Sequence, residues 1–188
     1  MLNQKKMLNE IVPVYFISNV LCYRLMTKDD AEAVVRLRNA EHVRKNYIYQ
    51  KQITVEEHNN YFNTKIETGI VVQYIMKEKN EDKAIGCTFL KDIDLAGNTA
   101  EFGVFIGDET ALGKGYGRDA VNQMKRLAFE VIGLNKLTLR VLGYNTIALR
   151  TYKNAGFIEV ERIVDESELD KPKREIIIME ISNKRYML

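Results

Sequence analysis

The order of hydrophobic patterns along the chain predicts an α+β fold with a mixed sheet: a strand, helices, three strands, a helix, a strand, a short helix and two strands. Two observations carry this. Three β-rich runs follow one another with only short polar stretches between them, which suits an antiparallel meander. A glycine cluster then opens an amphipathic helix that leads into a further strand. The chain has 188 residues, 46% of them hydrophobic, enough for one sizeable core, and no repeat, low-complexity tract or Pro/Ser-rich linker divides it. The expectation is a single domain over 21–188, with residues 1–20 as an N-terminal extension that packs on it.

Taken in order, residues 21–26 read as a strand, and 28–38, opened by Asp29 and Asp30 where a helix N-terminus favours negative charge, as a helix. A second helical stretch starts at Thr54, where Thr54-Val55-Glu56-Glu57 fits a capping box, and runs to about residue 67. Residues 71–77, 84–90 and 99–106 are the three meander strands. After the glycines, Ala120, Met124, Leu127, Ala128 and Val131 recur at helical spacing, and Gly133 stops the helix. Residues 136–141 form a strand, 145–155 a short helix ended by Gly156, and 157–164 and 174–181 two final strands.

Composition narrows the function. The 28 basic residues are interleaved with 26 acidic ones for a net charge of +2, so no broad field draws the chain to nucleic acid or an anionic membrane. Cys22 and Cys87 lie far apart with no spacing motif, and read as reduced thiols rather than a disulfide or metal cluster. His42 and His58 fall in different segments and assemble neither a metal site nor a nucleophilic triad; both read as surface or helix-packing residues. The apolar run over 11–21 contains Pro13 and Asn19, is shorter than the roughly 20 residues of a membrane span, and precedes no small-x-small cleavage site. The protein is expected to be cytoplasmic.

The densest chemical signal is Gly113-Lys114-Gly115-Tyr116-Gly117-Arg118 at the start of a helix. Such a turn offers unobstructed backbone N–H groups at the positive end of the helix dipole, a place for phosphate, and Lys114 and Arg118 can add charge-assisted contacts. The spacing does not match a nucleotide-hydrolysing P-loop, because Gly115 stands where Ser or Thr is needed, nor the Gly-x-Gly-x-x-Gly dinucleotide fingerprint. A plain strand-to-helix connection is the bland alternative. Further on, Asn145, Ala148 and Tyr152 share one face of the short helix closed by Gly156-Phe157.

With both constellations in this order, residues 21–181 resemble the GNAT N-acetyltransferases: 112–117 is similar to their pyrophosphate-binding motif, and 145–157 to their Asn-x-x-Ala-x-x-x-Tyr-x-x-x-Gly-Phe motif. Leu112 departs from the Arg or Gln often found there, which removes a side-chain contact but leaves the amide cradle. The resemblance implies a seven-stranded mixed sheet flanked by helices, with the fourth and fifth strands (99–106 and 136–141) splayed apart to take the pantetheine arm of acetyl-CoA. Backbone of Phe105, Ile106 and Gly107 would meet that arm, Gly113 to Arg118 the pyrophosphate, and Asn145 the pantetheine, although Asn145 is equally a helix N-cap. No metal is implied. A neutral amine would attack the thioester directly, with Tyr152 as general acid and Glu101 as base. Glu101 reads equally well as an exposed position on an alternating strand, in which case solvent supplies the free amine.

The acceptor side is expected from the helices after the first strand and the loop between the last two. Arg38, Asn39, Arg44, Tyr47 and Tyr49 are the candidates there, with a solvated helix end and packing tyrosines as the bland alternative. Within the family the arrangement is most similar to ribosomal-protein N-terminal acetyltransferases and to amino-sugar N-acetyltransferases of the pseudaminic-acid pathway. The two arginines suit an anionic diphosphate, which places a nucleotide-linked amino sugar first, a protein N-terminus second and a polyamine third, the last through a rim of Glu56, Glu57, Asp108 and Glu109. A non-catalytic acyl-CoA-binding module on the same fold is the alternative from another class. The apolar Ile176-Ile177-Ile178, expected to be exposed, would suit a homodimer.

Overall fold

The computed structural model describes residues 2–79, 81–165 and 173–186. In chain order the elements are α1 (Leu2–Ile11), β1 (Tyr15–Ile17), β2 (Leu21–Leu25), α2 (Ala31–Arg38), α3 (Glu41–Lys45), α4 (Val55–Tyr61), β3 (Val72–Glu78), β4 (Ala84–Asp94), β5 (Thr99–Ile106), α5 (Tyr116–Arg126), β6 (Lys136–Leu142), α6 (Thr146–Asn154), β7 (Ile158–Asp165), β8 (Arg174–Ser182) and α7 (Asn183–Tyr186). The strands form one sheet in the order β1-β2-β3-β4-β5-β6-β8-β7. Every pairing is antiparallel except β5 with β6.

The mixed sheet expected is present, with eight strands among the described residues in place of seven. The additional strand is β1, only three residues long and held by its pairing with β2. So short a strand has no readable alternation. Before it, α1 closes on the sheet through Leu8 and Val12, both buried in the core, while Gln4 Nε2 donates to the carbonyls of Gly69 (2.8 Å) and Ile93 (2.9 Å). The approach is close enough that a Cβ on Gly69 would stand 2.9 Å from Lys5 Cα, and Gly69 has φ +75°.

The period-two alternation of the strands builds two cores, one on each face of the sheet. Tyr74, Met76, Phe102, Leu139 and Met179 pack beneath Ala120, Val121 and Met124 of α5. On the other face Ile75, Cys87 and Phe105 pack beneath Val34 and Leu37 of α2, with Phe62 and Ile66 beyond α4. Thr54 caps α4 as its sequence predicts: the Glu57 amide donates to Thr54 Oγ1 (3.1 Å), and the Glu57 carboxylate accepts from the Thr54 amide (2.8 Å). Ile176 and Ile177, expected to be exposed, are buried instead: β8 is an interior strand between β6 and β7, and Ile177 joins the main core. The exposed apolar side chains at this edge belong to β7: Ile158, Val160, Ile163 and Val164. Among the described residues no helix is long and apolar enough to cross a membrane.

His58 of α4 is 5% exposed, its Nε2 is buried without a hydrogen-bond partner, and burial lowers its pKa from the ordinary 6.5. The unfolded chain therefore binds a proton at this site at a higher pH than the folded chain does, so stability is fully present above about pH 6.5 and falls as the pH drops below it. Denaturant titrations between pH 7.5 and 5 should show this loss, up to about 1.4 kcal/mol per pH unit from one group. His58→Leu should flatten that part of the profile, and an unchanged slope in the variant would mean that other groups produce it.

Candidate active site

The parallel pairing of β5 with β6 covers only Thr99–Lys136, Ala100–Leu137 and Glu101–Thr138. Beyond that point β5 continues alongside β4 to Ile106, and β6 alongside β8 to Leu142, so the two halves of the sheet diverge. The splay expected between strands 99–106 and 136–141 is present.

Strand alternation decides which backbone groups line this gap. The Gly103 carbonyl accepts from the Thr88 hydroxyl, a Cβ on Gly86 would lie 2.1 Å from the Phe105 carbonyl, and the Gly107 amide donates to Ile85 O at 2.8 Å. Residues 103, 105 and 107 thus face β4, and Phe102, Val104 and Ile106 turn their polar backbone groups into the gap. Of the three backbone positions expected to meet pantetheine, only Ile106 is so directed. Gly107 has another reason to be glycine: a Cβ there would sit 2.3 Å from the carbonyl oxygen of Leu37, so its smallness admits the end of α2.

At the mouth of the gap stands the N-terminus of α5. Gly115 is its N-cap, at φ +81°, Gly113 has φ +74°, and a Cβ added at Gly113, Gly115 or Gly117 would meet nothing within 4 Å. The first backbone bond of the helix runs from the Asp119 amide to Gly115 O (3.1 Å), so the amides of Tyr116, Gly117 and Arg118 have no intrahelical acceptor. Arg118 is exposed beside them, whereas Lys114 points to Glu78, with Nζ 2.9 Å from its carboxylate. The helix is held from below by fully buried Tyr23 of β2, whose hydroxyl donates to Asp119 Oδ2 at 2.6 Å.

Across the gap, α6 carries Asn145 and Tyr152. Asn145 is the N-cap, its Oδ1 accepting from the Ala148 amide (3.2 Å), so the capping role is realised and its Nδ2 points elsewhere. Tyr152 sets its ring edge-on against Phe102, the first residue of β5 beyond the last paired one, at 6.0 Å between centroids. Burial pushes its phenol up to about 12. The C-terminal end of α6 is fixed by Lys125 of α5, which is buried and donates to Ala155 O at 2.7 Å.

Glu101 lies at the fork itself, on the sheet face opposite Phe102. Both its oxygens accept from Arg140 Nε (3.1 and 3.2 Å), and Lys91 Nζ is 3.1 Å from Oε1. This arrangement clamps β4, β5 and β6 together where they separate, and suits a clamp better than a free proton acceptor.

Residues 46–53 form a strap from α3 to α4. Arg38 is 6% exposed, donates from Nη2 to Tyr49 O (2.6 Å), and stacks its guanidinium 3.6 Å over the Tyr47 ring. Asn39 exchanges two hydrogen bonds with the Ile53 backbone, and Arg44 donates to the carbonyls of Asn39 and Gln50. Arg38 and Arg44, read from sequence as diphosphate ligands, thus each donate to a strap carbonyl, while Arg38 Nη1 is buried without a hydrogen-bond partner. Tyr47 packs edge-on against Phe105, 6.1 Å between centroids, and Tyr49 is exposed. Three residues that the sequence did not mark as site candidates also meet here, among them His42, read there as a surface or helix-packing residue. His42 Nε2 lies 2.9 Å from the gap-facing Ile106 carbonyl, Tyr144 reaches Lys45 O, and Arg174 reaches Ile48 O. None belongs to a spacing motif; their partners are main-chain atoms distant in sequence. Among the described residues, no group of three or more His, Cys, Asp and Glu side chains could hold a metal ion.

Residues 21–158 match the family model described as an acetyltransferase (GNAT) domain. A curated relative, the spermidine N(1)-acetyltransferase of Vibrio cholerae serotype O1, is 23% identical over 167 residues, covering 89% of this chain and 95% of that protein. Among solved structures, spermidine N-acetyltransferase from Vibrio cholerae in complex with CoA and spermine superposes with a TM-score of 0.81 at 22% identity, over 89% of this chain and 98% of the other. A dodecameric structure of the same Vibrio cholerae enzyme in an intermediate state gives a TM-score of 0.75 at 23% identity, over 89% and 96% of the two chains.

Proposed function

The chain belongs to the GNAT acetyltransferase domain family, and from that premise we propose that it acetylates a primary amine of a polyamine, with acetyl-CoA as donor. The observation that carries the reading is the unpaired edge of β5 from Phe102 to Ile106, opening beside a helix N-terminus whose glycine Cβ positions are empty. A strand-like pantetheine suits the first and a pyrophosphate the second. Phe102, Val104 and Ile106 would bind the arm, and the amides of Tyr116, Gly117 and Arg118 the phosphates.

When bound, acetyl-CoA supplies an acetyl group activated as a thioester. The chain's own residues then have limited tasks. Tyr152, a phenol protonated at neutral pH and pushed up further by burial, would present its proton at the gap. With Glu101 engaged by Arg140 and Lys91, the amine gives its proton to solvent and arrives neutral.

The polyamine acceptor is supported by the activity named for the relatives, and the hydrogen bonds from Arg38 and Arg44 to backbone carbonyls weaken the argument for a nucleotide-linked amino sugar. Of the acidic rim drawn from sequence, Glu56 and Glu109 are exposed, while Glu57 serves the cap of α4 and Asp108 binds Lys83 and Thr110. The named Vibrio cholerae dodecamer supports a homo-oligomer, and the two free cysteines fit a reducing, cytoplasmic setting.

Gly117→Val tests the cradle without straining the backbone, because φ at this position is ordinary and the added side chain meets open space. Melting temperature should be kept while acetyl-CoA affinity measured by calorimetry falls about tenfold or more, roughly 1.4 kcal/mol. Unchanged affinity would move the pyrophosphate elsewhere. For the chemistry, thiol release should be followed with spermidine, a peptide N-terminus and a nucleotide amino sugar. Spermidine should turn over best, and Tyr152→Phe should lower kcat on the order of 100-fold with little change in acetyl-CoA affinity. Turnover of the amino sugar alone would reject the polyamine assignment, and a wild-type rate in the phenylalanine variant would remove Tyr152 from the proton path.

A further inference from the structure

The strap over residues 46–53 is tied to both lips of the gap. On the β5 lip, Tyr47 packs against Phe105 and Arg38 holds Tyr49 O. On the β6 lip the anchors are Tyr144, in the turn between β6 and α6, and Arg174, at the first residue of β8. The Tyr144 hydroxyl donates to Lys45 O at 2.6 Å and accepts from Gln50 Nε2 at 2.9 Å; Gln50 Nε2 also lies 2.9 Å from Lys45 O. The three groups close a ring of hydrogen bonds. Arg174 donates from Nη1 to Ile48 O at 3.0 Å while its Nη2 is paired with Asp165 at 2.5 Å.

A segment that touches Phe105 on one side and Tyr144 and Arg174 on the other must cross the gap, because Phe105 stands on β5 while Tyr144 follows β6 and Arg174 begins β8, in the half of the sheet that has parted from β5. It crosses on the face that carries α2 and α3, the face on which Glu101 and Phe105 project. Tyr144 is also adjacent in sequence to Asn145, the N-cap of the helix that carries Tyr152. Its side chain is 54% exposed, so the ring of bonds is not a by-product of core packing.

We propose that Tyr144 is a positioning residue for the acceptor amine: its hydroxyl latches the strap across the acceptor end of the gap and sets how tightly the acceptor is held, without taking part in the proton transfer. The inference rests on the acetyltransferase reading and on entry of the acceptor from the strap side. It does not require the acceptor to be a polyamine. Arg174 anchors the same strap from a partly buried ion pair, so the latch can be removed while the strap stays attached.

The test is a double-variant cycle of Tyr144→Phe and Gln50→Ala on the full chain, with spermidine as acceptor at saturating acetyl-CoA. Losing the ring should raise the acceptor KM about 3- to 10-fold, the size of one ordinary hydrogen bond, with kcat and acetyl-CoA affinity unchanged. The double variant should be no worse than the more affected single, because both act through one ring. An unchanged KM, additive effects, or a fall in kcat that tracks a lower melting temperature would overturn the proposal. Hydrogen exchange read without any acceptor separates this outcome from the choice of substrate. The amides of residues 46–53 should exchange about 3- to 10-fold faster in Tyr144→Phe while those of α6 keep their protection. If spermidine is not turned over by the unaltered enzyme, the polyamine reading fails and the latch is judged on exchange alone, where an unaltered strap overturns it.

Discussion

The parallel ladder between β5 and β6 stops after Glu101 and Thr138, and the rest of the architecture answers to that stop. Each strand keeps its other partner to the end, β4 for β5 and β8 for β6, so neither half loses its core when the two separate. Twist accumulates across a sheet, and a ladder of three parallel pairs has little to hold it against divergence. The consequence is a row of main-chain donors and acceptors from Phe102 to Ile106 with no strand beside them. Unpaired polar backbone is costly when shut away from water. A ligand with amides of its own can pair along that edge as a strand would, whereas a side chain meets it at a single point, as His42 Nε2 does at the Ile106 carbonyl.

Four sets of contacts keep the fork from becoming a general opening of the sheet. Arg140 and Lys91 converge on Glu101 at the crotch. Tyr23 fixes Asp119, and with it the N-terminus of α5, from beneath. Lys125, in the last turn of α5, ties that helix to the C-terminal end of α6, the helix that carries Tyr152. The strap binds the parted lips from the opposite face. The buried bonds contribute most: the hydrogen bond from fully buried Tyr23 to a carboxylate is of the charged type, worth about 1.5–3 kcal/mol. Those of the strap are partly exposed and weaker, which suits a part that must admit a substrate.

What could be read from the sequence was what has a period or a fixed spacing. The strands from residue 71 onward, the capping box at Thr54 and the glycines at 113–117 all rest on local rules, and each stands where those rules put it. The short β1 and α3 are held by pairing and tertiary contact, and they left no pattern to detect. The acceptor side was less legible for a related reason. Arg38 and Arg44 look like free cations in a string of letters, and only the fold brings the carbonyls of Tyr49, Asn39 and Gln50 to them. Phe105 and Gly107 turn their main-chain groups toward β4, since which residues face a gap depends on register with β4.

The central claim is that acetyl-CoA completes the open edge of β5 as a missing strand would. Residue-resolved amide exchange by NMR, with and without acetyl-CoA, tests it most directly. The account predicts an alternating result: exchange slows at Phe102, Val104 and Ile106 and at Tyr116, Gly117 and Arg118, while Gly103 and Phe105, turned toward β4, change little. Uniform slowing across 102–106, or protection that bypasses this edge altogether, would contradict it.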